Sequence, residues 1–424
     1  MTMTREAAIA AVVDPKAHAD APRLDAAFAW LRQHEPLARA ELPGFHPFQI
    51  VTKHADILEV SRDNSLFPYG DFPSTLAPQD AVERGRAARA AGRPLIHTLV
   101  QMDEPDHMKY RALTQAWFMP QNIRRLEGHI RELAREAVAR MESMGGECDF
   151  VAEVALHFPL RVIMEILGVP REDEPRMLKL TQELFGSTDP DLRRQGGADT
   201  PEARQREVQA VMMDFFNYFN ALTEDRRARP RDDLASTIAN SMIDGQPISA
   251  LDAVSYYLIV ATAGHDTTSS STAGAMWALA ERPAELAKVQ ASPELIPGLV
   301  DESIRWTTPV RHFMRSAAAD TTLRGQAIAK GDWLMLCYPS GNRDEEVFED
   351  PYEFRIDRKP NRHLAFGYGA HLCLGQHLAK MEMRILWEEL LPRLTSVGLA
   401  GEARLSEANF VNGPKALPIQ YVLT

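Results

Sequence analysis

Residues 249–280, SALDAVSYYLIVATAGHDTTSSSTAGAMWALA, read as one long helix. Its middle, YYLIVATAG, is apolar on most faces. A helix with no polar face has to be buried, so the rest of the chain must wrap around it. Ser249 and Asp252 stand at capping-box spacing at its start. Just after the apolar run come Gly264, His265, Asp266, Thr267 and Thr268. Glycine inside a helix costs about 1 kcal/mol relative to alanine, and buried Asp and Thr add a desolvation cost. Such residues are explained if a flat ligand lies against Gly264. They also fit a Thr hydroxyl that opens a kink by bonding a carbonyl one turn back, beside an acid and an alcohol that relay protons. The plainer alternative is a set of surface polar residues at a helix bend.

Helical spacing recurs elsewhere. Residues 122–144 place Ile123, Leu126, Ile130, Leu133, Ala137 and Met141 on one stripe that stops at Gly145-Gly146. Residues 293–306 form a helix with Ser292 as cap and Pro293 at its first position. Residues 373–391 are amphipathic through Leu374, Leu378, Met381 and Ile385, and Pro392 ends them. Strand signals are short: 48–53, 332–338 and 416–423. The expected fold is mainly α with a small β portion, a single domain over 1–424 with an irregular segment at 1–24. Residues 186–206 read as a mobile loop and 68–94 as an irregular lid.

The 424 residues can bury a large core without disulfides. Lys plus Arg is 47 and Asp plus Glu is 59, a net charge of −12, which argues against nucleic acid as a partner. The three cysteines, Cys148, Cys337 and Cys373, form no C-x-x-C pair and suit a reducing compartment. No stretch reaches the roughly 18 apolar residues of a membrane span. A soluble, cytoplasmic monomer is expected.

The segment most specific for chemistry is 366–375, FGYGAHLCLG. Cys373 stands just before a helix, whose N-terminal N–H groups favour a thiolate. Gly367 and Gly369 allow a close backbone approach, and Gly375 leaves space beside the sulfur. A thiolate ringed by amides suits a metal ligand. An inert buried thiol, a nucleophile with His371 or His377 as base, and a zinc site using His377 stay open on these residues alone. Two further pairs, Glu302 with Arg305 and His107 with Arg111, say little by themselves, because exposed pairs at such spacing are common and weak.

In this order the segments resemble the cytochrome P-450 family, the haem-thiolate monooxygenases. Phe366, Gly367, Gly369, His371, Cys373 and Gly375 match its haem-binding signature. Ala263, Gly264, Asp266 and Thr267 match its central-helix motif, and Glu302 and Arg305 its E-x-x-R pair. Within the family, GHDTTSSSTAGA, PSGNRDEEVF, PNRHLAFGYGAHLCLGQHLAKMEM and FVNGPKALPI are similar to bacterial soluble enzymes that hydroxylate terpenes.

The resemblance implies haem b between the central helix and the Cys373 loop. Cys373 would be its metal ligand, and Ala263, Gly264, Phe366, Gly367 and Gly375 would lie against it. His107, Arg111, Arg315 and His371 would hold its propionates. Asp266 and Thr267 would deliver protons, and Glu302, Arg305 and Arg358 would be structural. Leu99, Val100, Ile259, Thr262, Ala263, Val310, Phe313, Phe410 and Val411 would line the substrate pocket. Dioxygen would be co-substrate, with a small hydrophobic monoterpene, terpene alcohol or similar alicyclic or aromatic compound. Electrons would come from NAD(P)H through a flavoprotein reductase and an iron–sulfur ferredoxin, because no G-x-G-x-x-G follows a strand here. The ferredoxin would dock near Lys109, Arg124, Arg125, Arg362 and Lys380. A peroxide-driven peroxygenase and a non-catalytic haem sensor or carrier are the rivals.

Overall fold

The computed structural model describes residues 3–70, 73–92, 96–194 and 200–424. Helices make up most of them. The chain opens with α1 (Arg5–Val13) and α2 (Ala21–His34), where an irregular segment was expected through residue 24. Polar residues of this segment cap its helices. Thr4 Oγ1 accepts from the Ala7 N–H, and Asp14 and Asp20 accept from Lys16 and Arg23. The apolar faces of α1 and α2, including Val12, Phe28 and Leu31, are buried with a small sheet.

After α3 (His54–Arg62), α4 (Asp106–Gln115) and α5 (Glu127–Ser143), the chain forms α6 (His157–Leu167) and α7 (Glu174–Phe185). The glycines expected to stop α5 do so at positive φ, +73° at Gly145 and +100° at Gly146. The proposed lid at 68–94 contains a helix, Gln79–Ala90. Residues 71–72 and 93–95 of that lid lie outside the described residues. The proposed loop at 186–206 gives way at Thr200, whose hydroxyl caps the 28-residue α8 (Pro201–Ala228). Residues 195–199 lie outside the described residues. The start of that loop is anchored, since buried Asp189 accepts from Lys415 Nζ at 2.9 Å.

The long central helix is two helices, α9 (Ala250–Ala263) and α10 (Asp266–Glu281). Ser249 caps α9 as its spacing with Asp252 predicts, accepting from the Asp252 N–H at 3.0 Å. Two features produce the break. The Thr267 hydroxyl donates to the Ala263 carbonyl at 2.9 Å, competing for the acceptor that the Thr267 N–H would use. At Gly264, α6 comes so close that a Cβ would lie 2.8 Å from Ile163 Cγ1. The polar motif is therefore the break itself.

Around this axis pack α6, α8, α11 (Ile296–Thr307) and α12 (Gln376–Leu390), and α5 lies on α12. Trp387, Tyr256, Tyr257, Phe215 and Phe219 are fully buried in the shared core. The strands of the two larger sheets are β1 (Leu37–Ala40), β2 (Phe48–Val51), β3 (Glu147–Asp149), β4 (His312–Ser316), β5 (Trp333–Cys337), β6 (Leu394–Leu399) and β7 (Pro418–Leu423). One sheet has the order β1-β2-β5-β4, with β2 and β5 parallel. A second has the order β6-β7-β3. The three expected strand segments hold β2, β5 and β7. β1, β4 and β6 are added by pairing rather than by strong local pattern. No helix among the described residues is long and apolar enough to cross a membrane.

The contact at the break predicts that Gly264→Ala costs about 1–3 kcal/mol through overpacking. Chemical denaturation should show it, and Ile163→Ala in the same chain should recover part of the loss. An unchanged midpoint in Gly264→Ala would show that α6 and the break are not in tight contact.

Candidate active site

Glu302 and Arg305, an uninformative pair in the sequence, are both 0% exposed. The Glu302 carboxylate accepts from Arg305 Nε and Nη2 at 2.8 and 2.7 Å. It also accepts from Arg358 Nε at 3.1 and 3.2 Å, Asn361 Nδ2 at 3.1 Å and the Arg355 N–H at 2.9 Å. Burial alone would raise the Glu302 carboxyl. The bonds and charge of Arg305, with help from the Arg355 N–H and Arg358, hold it below its ordinary value instead. Asn361 completes the cluster and was missed; an amide has no charge pattern to betray it.

This cluster supports the Cys373 loop. Arg305 Nη1 donates to the Asn342 carbonyl, and Asn342 Oδ1 accepts from the Leu364 N–H. The Leu364 carbonyl accepts from Gly367, and the Phe366 carbonyl from the Cys373 N–H at 2.9 Å. Gly369 is at φ +74°, and a Cβ there would sit 2.2 Å from the Ser61 carbonyl at the end of α3. Its close approach is thus to protein. At Gly375 a Cβ would meet nothing within 4 Å, which leaves open space beside the sulfur.

Burial pushes the Cys373 thiol above its ordinary value, while backbone N–H groups of Gly375 and Gln376 and the charge of Arg111 pull it down. His371 is pushed down to about 2 by burial and by Arg315, His107 and Arg111. A nucleophile and its base need the opposite shifts. Among the described residues no group of three His, Cys, Asp or Glu side chains could hold a metal ion, so the zinc alternative lacks ligands.

Cys373 opens into a cavity of about 1480 Å³ counted to its mouth, open solvent included. Phe366, Gly367, Cys373 and Gly375 form one wall; Ile259, Ala263, Gly264 and Thr267 form the other. His107, Arg111, Arg315 and His371 also line it. The His107 and His371 rings lie 4.1 Å apart, and Arg315 stacks over the Tyr69 ring at 3.8 Å. Tyr69 was not expected here; it is paired through Arg315 rather than through sequence spacing.

Leu99, Val100, Val310 and Phe313 line the cavity as expected. Thr262 does not: it is 2% exposed and its hydroxyl donates to the Leu258 carbonyl, because its side of α9 packs into protein. Phe410 and Val411 also stand outside the wall. Phe410 packs behind Phe313, 5.6 Å between ring centroids, and Val411 pairs with Val310 through a backbone bridge. Asp266 faces a separate cavity behind α10. Val260 and Glu382 are wall residues that sequence reasoning missed.

A family model for cytochrome P450 matches residues 76–293 and 294–397. The chain belongs to the cytochrome P450 family. Cytochrome P450-terp of a Pseudomonas species is 48% identical over 411 residues, 97% of this chain and 96% of its own length. A linalool 8-monooxygenase of Pseudomonas putida is 33% identical over 398 residues, 93% of this chain and 95% of its own. The crystal structure of CYP108D1 from Novosphingobium aromaticivorans superposes with a TM-score of 0.89, at 44% identity over the full length of both chains. P450 membership carries haem and dioxygen-dependent monooxygenation.

The cavity fits that cofactor. A haem is flat, soft-ligated and carries two carboxylates. Here a sulfur stands in one wall, and Ala263 and Gly264 stand in another. Among the basic groups, Nε2 of His107 and Nε of Arg315 are buried without a hydrogen-bond partner. The Arg315 Nε–H is a buried donor that calls for an acceptor. A metal cation at the sulfur would reverse the effect of burial on Cys373.

Removing the central charge tests the scaffold. Glu302→Gln leaves Arg305 and Arg358 buried without a countercharge, and the expected loss is about 3–5 kcal/mol. Because the folded carboxyl is held below its ordinary 4.5, the wild-type advantage should be full above that pH and fade as pH falls through the folded value. Urea titrations at several pH values check both; a loss that does not vary with pH would contradict the assignment.

Proposed function

We propose that this P450 hydroxylates a small alicyclic monoterpene or terpene alcohol, with α-terpineol the first compound to try. The observation that carries this reading is the apolar half of the cavity, where Leu99, Val100, Ile259, Val260, Val310 and Phe313 face the substrate space. No charged side chain stands among them, so shape selects the substrate. The 48% identity to P450-terp supports the same class. The balanced reaction is RH + O2 + 2 H⁺ + 2 e⁻ → ROH + H2O.

Haem, when bound, supplies the dioxygen chemistry, and thiolate ligation favours O–O cleavage. Cys373 is the ligand in this reading. Arg111, Arg315, His107 and His371 hold the propionates, pairing cations with carboxylates in a buried setting. Thr267 donates its hydroxyl hydrogen to the Ala263 carbonyl and lines the cavity. Asp266, one residue earlier, replenishes protons. A peroxygenase or a haem carrier has no use for this acid–alcohol pair, which favours the monooxygenase.

Electrons are assigned to an iron–sulfur ferredoxin, charged from NAD(P)H by a flavoprotein. Among the basic residues considered for docking, Lys109 pairs with Asp244 at 2.6 Å and Lys380 with Asp301 at 2.8 Å. Arg124, Arg125 and Arg362 are exposed. In a chain of net charge −12, such local positive charge steers an acidic partner.

The purified, reduced protein should show the strongly red-shifted Soret band of a thiolate-ligated carbonyl complex, and Cys373→Ser should lose it. Titration with α-terpineol should convert low-spin to high-spin haem; a normal band with no terpene response would remove the substrate assignment alone. Thr267→Ala should keep consuming electrons but make peroxide in place of product. Equal product per electron pair in wild type and Thr267→Ala would rule out Thr267 as the proton-delivering alcohol.

A further inference from the structure

Asp266 and Thr267 are neighbours in sequence, yet they open into different cavities. Thr267 lines the cavity that holds Cys373. Asp266 lines a second one, about 510 Å³ counted to its mouth, between α10, the end of α7 and the loop at 406–414. Its walls carry polar side chains: Gln182, Ser269, Ser270, Ser406 and Asn412. Oδ2 of Asp266 is buried there without a hydrogen-bond partner. A polar, roomy site next to an unsatisfied oxygen is suited to water.

The other carboxylate oxygen meets a histidine. His265 is fully buried, and its Nε2 lies 2.8 Å from the Leu156 carbonyl. A carbonyl only accepts, so Nε2 carries a hydrogen. In the neutral ring Nδ1 is then a bare lone pair. It faces Asp266 Oδ1 at 3.5 Å and Thr181 Oγ1 at 3.4 Å. Thr181 has one hydroxyl hydrogen, and the Leu178 carbonyl at 3.0 Å takes it. With an ionised Asp266, Nδ1 would be left among acceptors in a buried place. One proton between Nδ1 and Oδ1 removes the conflict. Burial first, then the nearby charges of Arg140, Arg161 and His265, hold His157 at the start of α6 below its ordinary value.

We propose that His265 and Asp266 hold one proton between them and that water in the second cavity replaces it, so that protons reach Thr267 from behind the helix and not through the substrate cavity. His265 is a positioning residue in this scheme. Each turnover takes two protons, and each leaves water in the second cavity as it recharges the Asp266 side. The inference rests on the reading of Thr267 as the proton-delivering alcohol.

The proton itself can be observed without turnover. In the reduced carbon-monoxide complex at neutral pH, ¹⁵N-histidine and ¹³C-aspartate NMR should find either a doubly protonated His265 or a protonated Asp266. A neutral His265 beside an ionised Asp266 would overturn the proposal. Turnover tests the route. His265→Phe removes Nδ1, and Gln182→Leu with Ser269→Ala takes two polar side chains out of the second cavity's wall beside Asp266 at similar size. Both should lower product per electron pair several-fold, raise peroxide and enlarge the solvent isotope effect. The carbonyl spectrum and the terpene spin shift should not change. Normal coupling in the cavity variant, with Thr267→Ala uncoupled, overturns the route. Normal coupling in Thr267→Ala overturns the reading of Thr267 beneath it, and the route with it.

Discussion

The fully buried carboxylate of Glu302 is the interaction on which the catalytic half of the molecule depends. Burying one such ion costs several kcal/mol, and only dense hydrogen bonding offsets it. Here Arg305, Arg358, Asn361 and the Arg355 N–H all converge on one carboxylate. Those donors come from α11 and from the irregular stretch after residue 349, which has little regular secondary structure of its own. From Arg305 the connection runs through Asn342 to Leu364 and so to the Cys373 loop. An irregular loop can place a sulfur reproducibly because a charged cluster behind it is rigid.

The opposite wall is built on a different device. A continuous helix between α9 and α10 would present the same kind of surface along its length. Just past the break at Gly264 and His265, Asp266 and Thr267 leave successive positions of α10, Thr267 toward one cavity and Asp266 toward another. Glycine is needed there for space against Ile163, and the Thr267 hydroxyl satisfies a carbonyl that the break frees. Stability is given up locally so that two chemically different compartments can touch one turn of backbone.

The basic groups along the cavity edge show the same trade. His107, His371, Arg111 and Arg315 crowd together although the chain as a whole is strongly acidic. Their mutual repulsion and burial drive His371 down to about 2. Such a cluster is unfavourable alone and becomes favourable when an anionic group binds, which ties cofactor binding to the stability of this region.

The helical character, the buried central helix, the signature around Cys373, the acid–alcohol motif and the Glu302–Arg305 pair were all legible in the amino-acid sequence. The helices rest on periodicity and capping, whereas the role of the Cys373 segment and the Glu302–Arg305 pair became legible only through the family motifs they resemble. Asn361, Tyr69 and Glu382 were not legible, nor was the placement of Thr262, Phe410 and Val411. Their roles depend on which side of an element meets which neighbour, and side chains one residue apart face different surroundings. The N-terminal helices were missed for a related reason: Thr4, Asp14 and Asp20 look like interruptions until the helices they cap are packed on a sheet. The sequence by itself determined which sulfur, acid and alcohol groups stand in the motif segments. Tertiary structure alone decided that Asp266 and Thr267 open into separate cavities, because that depends on α6, α7 and the C-terminal loop closing around one broken helix.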